Sequence, residues 1–400
     1  MKKKTETQEK KKTGGARQRI LIALAVLAVA GAAAYLYFSG WINQWLGKKS
    51  TYSLAETDTV ISLDAEGGAA LKGFGTLIVR ANRSGVRASD AEGKTVWDVG
   101  FQMISPSLEA AGTYIAAADR KGSEALLISE TGETVRLSAD HTILFHTMNR
   151  QGKVVIVTSE EKTNTLLLFG PDGKLLLKRK TYQNKDGIPA AAAISPDGKR
   201  LVVSSISYTG GRLASILTLF DLSDKGAELV DRILASQRIE NELVTDLGFC
   251  GGSCLYASES SFGAIETDKG GRLWSVRPDY QLKCIVFGEN GLAVGLGERI
   301  AGVASETETN FYLYNTAGNV LYSAYLPGLQ LLEYNAGIYV LGGEQRFSAV
   351  NENGKILWDY ESALTLARMI PLSDRKTLVG RIGDKLQYYR VEEIQEAVSK

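Results

Sequence analysis

Ser89-Asp-Ala-Glu-Gly-Lys-Thr-Val-Trp97 is one of three segments in which a tryptophan follows a turn glycine by four residues. The second is Glu266-Thr-Asp-Lys-Gly-Gly-Arg-Leu-Trp274, and the third is Val350-Asn-Glu-Asn-Gly-Lys-Ile-Leu-Trp358. A fourth segment, Tyr314-Asn-Thr-Ala-Gly-Asn-Val-Leu-Tyr322, keeps the spacing with tyrosine. One hairpin that recurs along a chain predicts a repeat architecture.

The spacing of the turn glycines is typical of propeller blades. Weaker copies turn at Gly132, Gly173 and Gly226, so that successive turns lie 36 to 53 residues apart. A propeller blade is a four-stranded antiparallel sheet, and we name its strands A to D in chain order. Short runs rich in Val, Ile, Leu and Thr, such as residues 154–158 and 165–169, predict these strands. The predicted fold class is therefore all-β, a β-propeller.

The two ends of the repeat region complete one another. A strand at 58–63 precedes the first full unit and has no partner of its own. The last unit offers strands at 364–369, 376–380 and 385–389 but no strand D. Sharing one blade between the ends leaves no open sheet edge. We therefore expect eight blades, with seven as the alternative.

The repeated aromatic residues have a structural role in this interpretation. At a fixed position on strand D, each can cover the interface between adjacent blades, where an aromatic side chain buries about 150–250 Å². We expect Trp97, Trp274, Tyr322 and Trp358 to do this rather than to contact a ligand.

The N-terminal segment has the composition of a membrane anchor. Residues 20–38 form a 19-residue run without a charge, close to the roughly 20 residues that span a bilayer. Residues 1–49 carry ten Lys or Arg and two Glu, and most of the basic residues precede the run. A basic flank favours a cytoplasmic N-terminus. A cleaved signal peptide, with Ala28-Val-Ala30 at the cleavage site, remains the alternative.

The expected organisation follows from the anchor and the repeats. It comprises a basic cytoplasmic tail (1–19), a transmembrane helix (20–38), a juxtamembrane linker (39–57), the propeller (58–390) and a C-terminal tail or short helix (391–400). The protein is then a single-pass protein of the cell membrane, with an extracytoplasmic propeller. Beyond residue 49 the chain carries 36 basic and 43 acidic residues, which argues against nucleic acid as a partner.

The Asp/Asn-x-x-Gly-Lys-x-x-Trp hairpin resembles the repeat of quinoprotein (PQQ-type) propellers. It is equally similar to the repeat of their cofactor-free relatives, such as the propeller lipoproteins of outer-membrane protein assembly. The stretch Ser195-Pro-Asp-Gly-Lys-Arg200 resembles WD40 and TolB-type blades. The overall plan resembles an uncharacterised family of membrane-anchored, propeller-like bacterial proteins. These resemblances imply the fold, and a fold does not by itself define a function.

The sequence offers little for catalysis. The cofactor residues of the quinoprotein family have no counterparts here, so we expect no cofactor, no metal and no enzymatic activity. His141 and His146 are the two histidines, and each is expected to be structural. Cys250 and Cys254 flank a predicted turn and form a candidate disulfide, with two buried thiols as the alternative. Cys284 has no predicted disulfide partner.

Loop length points to one face of the propeller. The A–B and C–D turns share one face and are predicted to be short. Longer B–C and D–A connections are predicted on the other face, at 179–189, 206–215 and 297–310. They place a set of polar and aromatic side chains on one rim: Tyr182, Lys185, Asp186, Tyr208, Arg212, Arg299, Glu306 and Glu308. Tyr and Arg are enriched at binding hot spots.

This rim predicts a binding protein. The expected function is capture of a protein or cell-envelope partner by the loop-rich face, without catalysis. The alternative is a sensor of a small ligand or glycan that uses the central channel. A quinoprotein-type enzyme is the third hypothesis and lacks the residues it would need.

Overall fold

The computed structural model describes residues 52–63, 70–209, 211–297, 309–326, 328–343 and 345–394, together with Gly31. Residues 50–400 form one compact unit. The described residues form eight four-stranded sheets, each antiparallel throughout, and eight blades are thereby confirmed. No helix among these residues is long and apolar enough to cross a membrane. The predicted transmembrane segment, 20–38, lies outside them apart from Gly31.

Strand β1, Tyr52–Ser62, begins the propeller and belongs to its last blade. Blade 1 contains β2 (Ala70–Phe74), β3 (Leu77–Ala81), β4 (Gly85–Ser89) and β5 (Thr95–Gly100). Blade 2 contains β6 (Pro106–Ala111), β7 (Tyr114–Asp119), β8 (Glu124–Ser129) and β9 (Thr134–Ser138). Blade 3 contains β10 (Thr142–Met148), β11 (Val154–Glu160), β12 (Thr163–Phe169) and β13 (Leu175–Tyr182). A one-turn helix, α1 (Gln183–Asp186), follows β13.

Blade 4 contains β14 (Ile188–Ile194), β15 (Arg200–Thr209), β16 (Arg212–Asp221) and β17 (Ile233–Glu240). Two short 3-10 helices, Asp224–Glu228 and Val230–Arg232, join β16 to β17. Blade 5 contains β18 (Val244–Cys250), β19 (Ser253–Ser258), β20 (Phe262–Ile265) and β21 (Arg272–Val276). Blade 6 contains β22 (Gln281–Phe287), β23 (Gly291–Gly297), β24 (Thr309–Asn315) and β25 (Val320–Tyr325). Blade 7 contains β26 (Leu331–Asn335), β27 (Ile338–Gly343), β28 (Arg346–Asn351) and β29 (Ile356–Glu361). Blade 8 contains β30 (Arg368–Pro371), β31 (Thr377–Ile382), β32 (Lys385–Glu393) and β1.

The last blade is closed by the first strand. β1 pairs antiparallel with β32, from Tyr52 opposite Glu393 to Ser62 opposite Lys385. The side-chain amide of Gln387 donates to Thr57 O at 2.6 Å, at the irregular part of this pairing. The ends therefore share a blade, as predicted. However, β1 already begins inside the predicted linker (39–57), and β32 continues into the predicted tail (391–400).

The core is divided among the interfaces between blades. Eight buried apolar clusters form among the described residues, and each joins two consecutive blades. The cluster that closes the ring contains Leu71 and Ile78 of blade 1 and Val379 and Tyr388 of blade 8. Strands B and C are apolar on both faces because each face meets a neighbouring blade. In β23, for example, every residue is buried.

The repeated aromatic residue packs on the turn glycine of the following blade. The Trp97 ring of blade 1 lies on Gly132 of blade 2, where an added Cβ would come 2.9 Å from Trp97 Cβ and Cγ. Trp274 lies in the same way on Gly318, and Tyr322 on Gly354. The indole N–H of Trp97 also donates to Glu130 O at 3.2 Å. Trp97 and Trp358 are buried, whereas Trp274 is half-buried.

The first position of the repeat shapes the turn. The Asp90 carboxylate accepts hydrogen bonds from the backbone N–H groups of Glu92 and Lys94, at 3.1 and 2.8 Å. Asn315 and Asn351 do the same in blades 6 and 7. These side chains support a turn in which the glycine has a positive φ, 78° at Gly93. The Asp/Asn and the Gly of the motif are thus both needed for one backbone conformation.

Blade 4 departs from the repeat. Gly226 lies in the first 3-10 helix and has no positive φ, so it is not the turn glycine that its position in the sequence predicts. The connection between β16 and β17 is also long, although C–D turns are predicted to be short. An added Cβ at Gly226 would lie 2.0 Å from Asp221 O, so this glycine is required for close backbone packing instead.

Substitution of the turn glycines tests the aromatic packing. Gly132→Ala should lower the free energy of unfolding by about 3 kcal/mol, because it adds a left-handed alanine and overpacks the Trp97 ring. Gly251→Ala is the matched control, since Gly251 has φ of 58° and no atom within 4 Å of an added Cβ. It should cost only about 1 kcal/mol. Urea denaturation would measure both values, and equal losses would contradict the packing argument.

Candidate functional site

The longest hairpin of the described structure extends beyond its own blade. β15 and β16 are ten residues each and remain paired to Thr209 opposite Arg212. Strand β14 pairs with β15 only as far as Ile206, and β17 reaches β16 only as far as Ala214. Residues 208–213 therefore form a projecting tip, which we call the finger. The sequence prediction of a loop at 206–215 is wrong, because β15 and β16 stay paired from Ile206 opposite Ser215 to Thr209 opposite Arg212.

Helix α1 is fixed beside the base of the finger. It packs against β15, and Gly187 follows it with φ of 80°. A Cβ at Gly187 would lie 2.6 Å from Ile206 O, so only glycine permits this approach. The Asp186 carboxylate accepts a hydrogen bond from the backbone N–H of Tyr182 at 2.7 Å and closes the turn. The predicted connection at 179–189 is thus mostly strand and helix.

Five of the eight predicted rim residues lie in the described structure, and all five lie at this place. Tyr208 is 74% exposed and Tyr182 is 50% exposed. Arg212 is on the finger, and Lys185 and Asp186 are on α1. Arg299, Glu306 and Glu308, with most of the predicted connection 297–310, lie outside the described residues.

A cavity adjoins α1 at the interface of blades 3 and 4. Its volume is about 250 Å³, and Lys185 and Asp186 contribute to its lining. Arg179 and Ser205 also line it, and neither was predicted from the sequence. No motif marks them, because only the packing of blade 3 against blade 4 brings them together.

A buried carboxylate organises the same face at blades 4 to 6. Glu242, on the β17–β18 connection, is 4% exposed. Its carboxylate accepts hydrogen bonds from Ser258 and Ser261 of the B–C turn of blade 5. It also pairs with Arg277, on the connection to blade 6. This network joins three connections, and sequence analysis missed it because the residues are distant in the chain.

The innermost strands carry charges that neutralise one another. Lys72 on β2 lies 3.4 Å from the Glu109 carboxylate on β6. Arg368 on β30 donates to Glu333 on β26 at 2.6 Å and to Leu71 O at 2.8 Å. Each of these contacts joins consecutive blades around the centre.

His146 joins blades 2 and 3 and is buried. Its Nε2 lies 3.3 Å from Ala116 O, and its Nδ1 lies 3.3 Å from Ser107 Oγ. Because a carbonyl only accepts, Nε2 carries the proton. Burial lowers the pKa of the imidazole, and the Glu109 carboxylate opposes only part of that shift. The Ala116 carbonyl occupies the place where a catalytic triad needs an acid. His141 is exposed and lies 3.7 Å from Glu160.

The candidate disulfide between Cys250 and Cys254 does not form. Both are free thiols, as is Cys284. Cys254 stands opposite Phe249, and Cys250 opposite Ser253, so the two side chains point to opposite faces of the sheet. Cys250 packs between blades 5 and 6, and Cys254 between blades 4 and 5. Burial raises the pKa of the Cys250 thiol to about 12.

No group of three or more His, Cys, Asp or Glu side chains in the described part of the chain is placed to hold a metal ion. The fold and the projecting rim together define an eight-bladed β-propeller. The chain belongs to the family of unknown function DUF5711, whose sequence profile matches residues 48–387. No curated protein matches the chain in sequence.

Solved structures share the fold at low sequence identity. BamB from Moraxella catarrhalis is 12% identical, with a TM-score of 0.50 over 84% of this chain and 99% of its own. Sqt1 from Saccharomyces cerevisiae is 11% identical, with a TM-score of 0.56 over 84% and 100%. A eukaryotic initiation factor is 14% identical, with a TM-score of 0.53 over 84% and 89%. At these identities the likeness concerns the fold alone.

The buried histidine predicts a pH dependence of stability. Since the folded pKa of His146 is lowered, the unfolded imidazole, with a pKa of about 6.5, takes up a proton that the folded one does not. The stability that the neutral, buried His146 contributes is present above about pH 6.5 and is lost as pH falls. The free energy of unfolding should therefore decline between about pH 7 and 5. His146→Gln should flatten this decline.

His141→Gln is the matched control, because its side chain is 41% exposed. The free energy of unfolding of His141→Gln, measured by urea denaturation at each pH, should decline as it does in the unchanged protein. A decline that survives in His146→Gln would show that other groups cause it.

Proposed function

We propose that this protein is a non-catalytic propeller that binds a protein or cell-envelope partner through the finger and α1. The observation that carries the proposal is the projection of residues 208–213 beyond both neighbouring strands. Pairing within the blade does not require this extension. It nevertheless holds an aromatic side chain, Tyr208, 74% exposed at the rim.

The side chains on this rim fit a binding role. Tyr208, Tyr182 and Arg212 are of the types enriched among residues that dominate binding energies. The backbone that carries them is rigid, since the finger is a paired hairpin and α1 is held at Gly187. A preordered surface loses little conformational entropy on binding. Arg299, Glu306 and Glu308 belong to the same proposed surface on the basis of the sequence alone.

We further propose that the propeller is anchored at the cell membrane and faces outwards. The support is the uncharged run at 20–38 and the basic excess that precedes it. If this segment is instead a cleaved signal peptide, the propeller lies on the same side of the membrane but has no anchor.

A sensor that uses the central channel is the second candidate. Four of the six charges on the innermost strands, Lys72, Glu109, Glu333 and Arg368, form two ion pairs. They already pair with one another, so a ligand would have to break these pairs. We therefore place the binding site on the rim.

Paired substitutions test the rim. Proteins that contact the full chain in intact cells would be cross-linked to it and recovered. The amount recovered with the double variant Tyr208→Ser/Arg212→Ser would be compared with the amount recovered with the unchanged protein. A hot-spot loss of about 2 kcal/mol or more corresponds to roughly 30-fold weaker capture. Val230→Ser/Lys225→Ser is the control, because both residues are exposed at the opposite end of the same blade. Equal capture by all three proteins would place the site elsewhere.

Protease accessibility tests the orientation. Protease added to intact protoplasts should degrade the propeller and spare residues 1–19. The basic flank is expected to keep that segment in the cytoplasm. Lysed protoplasts provide the control, in which both parts should be degraded. A propeller protected in intact protoplasts would overturn the proposed orientation.

A further inference from the structure

The interface between blades 3 and 4 lacks the aromatic–glycine packing. Four residues after Gly173, where the repeat has Trp in other blades, blade 3 has Leu177. The blade 4 partner, Gly226, lies in a 3-10 helix rather than in the turn. The cavity of about 250 Å³ lies at this interface. One water molecule occupies about 30 Å³ of the liquid, so the space suits a small organic molecule.

A buried cation lines this cavity. The Arg179 side chain is 15% exposed, and its Nη1 lies 2.8 Å from Asp231 Oδ2. That contact is an ion pair without hydrogen-bond geometry, and Nε and Nη1 have no hydrogen-bond partner among the described residues. Asp231 is itself 62% exposed. The guanidinium therefore has one exposed carboxylate beside it and also lines the cavity, where an anion that accepts from a guanidinium N–H gains a charge-assisted hydrogen bond.

Ser205 presents a buried hydroxyl to the same space. The residue is 7% exposed and lines the cavity. Thr218 and Ser236 line the cavity as well. These groups are therefore suited to donate to a ligand oxygen beside the guanidinium.

The rest of the lining is apolar. Phe220 and Ile233 of blade 4 and Leu166 of blade 3 contribute to it. The Arg179 guanidinium lies over the Phe220 ring at 5.5 Å, so the charged and apolar parts of the lining adjoin. Lys185 and Asp186 both line the α1 side and offset one another in charge, so Arg179 supplies the net positive charge of the lining. The lining thus favours one negative charge joined to a hydrocarbon body.

We propose that this interblade cavity is a binding site for a small organic monocarboxylate with an apolar body. Arg179 and Ser205 bind the carboxylate, and the surface around Phe220 and Ile233 holds the hydrocarbon. The site adjoins the surface proposed for the partner, because Lys185 and Asp186 of α1 line it, but the proposal does not rest on that partner.

Equilibrium dialysis with radiolabelled phenylacetate tests the proposal. The full chain would be held in lipid nanodiscs, with empty nanodiscs as the blank and phenylacetamide as the neutral analogue. Phenylacetate should bind at least about tenfold more tightly than the amide, since a hydrogen bond to a charged group contributes about 1.5–3 kcal/mol. Arg179→Gln should remove this preference. Arg238→Gln, which loses an exposed arginine paired with Glu240, should keep it.

Ser205→Val provides a second variant that does not remove the cation. It replaces the hydroxyl by methyl groups within the cavity and should weaken phenylacetate binding while the thermal midpoint shows a folded protein. Three results would overturn the proposal: no binding of phenylacetate to the unchanged protein, equal binding of acid and amide, or unchanged acid binding by a folded Arg179→Gln or Ser205→Val protein. If Arg179→Gln does not fold, Ser205→Val decides.

Discussion

The contact between an aromatic ring on strand D and the turn glycine of the next blade is the constraint on which this structure depends. It is made at three of the eight interfaces, by Trp97 on Gly132, Trp274 on Gly318 and Tyr322 on Gly354. The glycine serves the turn through its positive φ and serves the interface through its missing side chain. Local chain reversal and packing between blades are therefore specified by one residue, and the Asp or Asn three positions earlier supports both.

Each interface is a separate core, and the ring makes the cores interdependent. The eight clusters each draw on two blades, so no blade has a complete core of its own. Three polar contacts do the same, since Lys72–Glu109, Arg368–Glu333 and His146–Ala116 each connect neighbouring blades. A change in one blade is consequently transmitted as a change in the fit of the next. The interface of blades 3 and 4, one of several that lack the aromatic–glycine contact, contains a cavity.

The hairpin repeat allowed the fold, the eight blades and the shared last blade to be predicted, because turn chemistry and strand patterns are local. Local patterns failed where a strand was polar or extended. Tyr52–Glu56 contains exposed residues between less exposed ones, which predicts a linker rather than a strand. The segment 206–215 contains two glycines, which predict a loop, whereas β15 and β16 stay paired as far as Thr209 and Arg212. At the candidate site, exposed types such as Tyr208 and Arg212 were predicted from their place on the rim. Arg179, Ser205 and Glu242 were not, since only tertiary packing reveals that they are buried.

The pairing of β1 with β32 has a consequence for biosynthesis. The first strand of the propeller to leave the ribosome finds its partner only after the last one has been made. At about 5–20 residues per second, that delay is on the order of 15 to 65 seconds. Throughout this time β1 and the edge of the growing sheet array remain unpaired and open to other chains. A tether that keeps the early strand near the emerging chain, or a chaperone that covers it, would shorten the search that completes the ring.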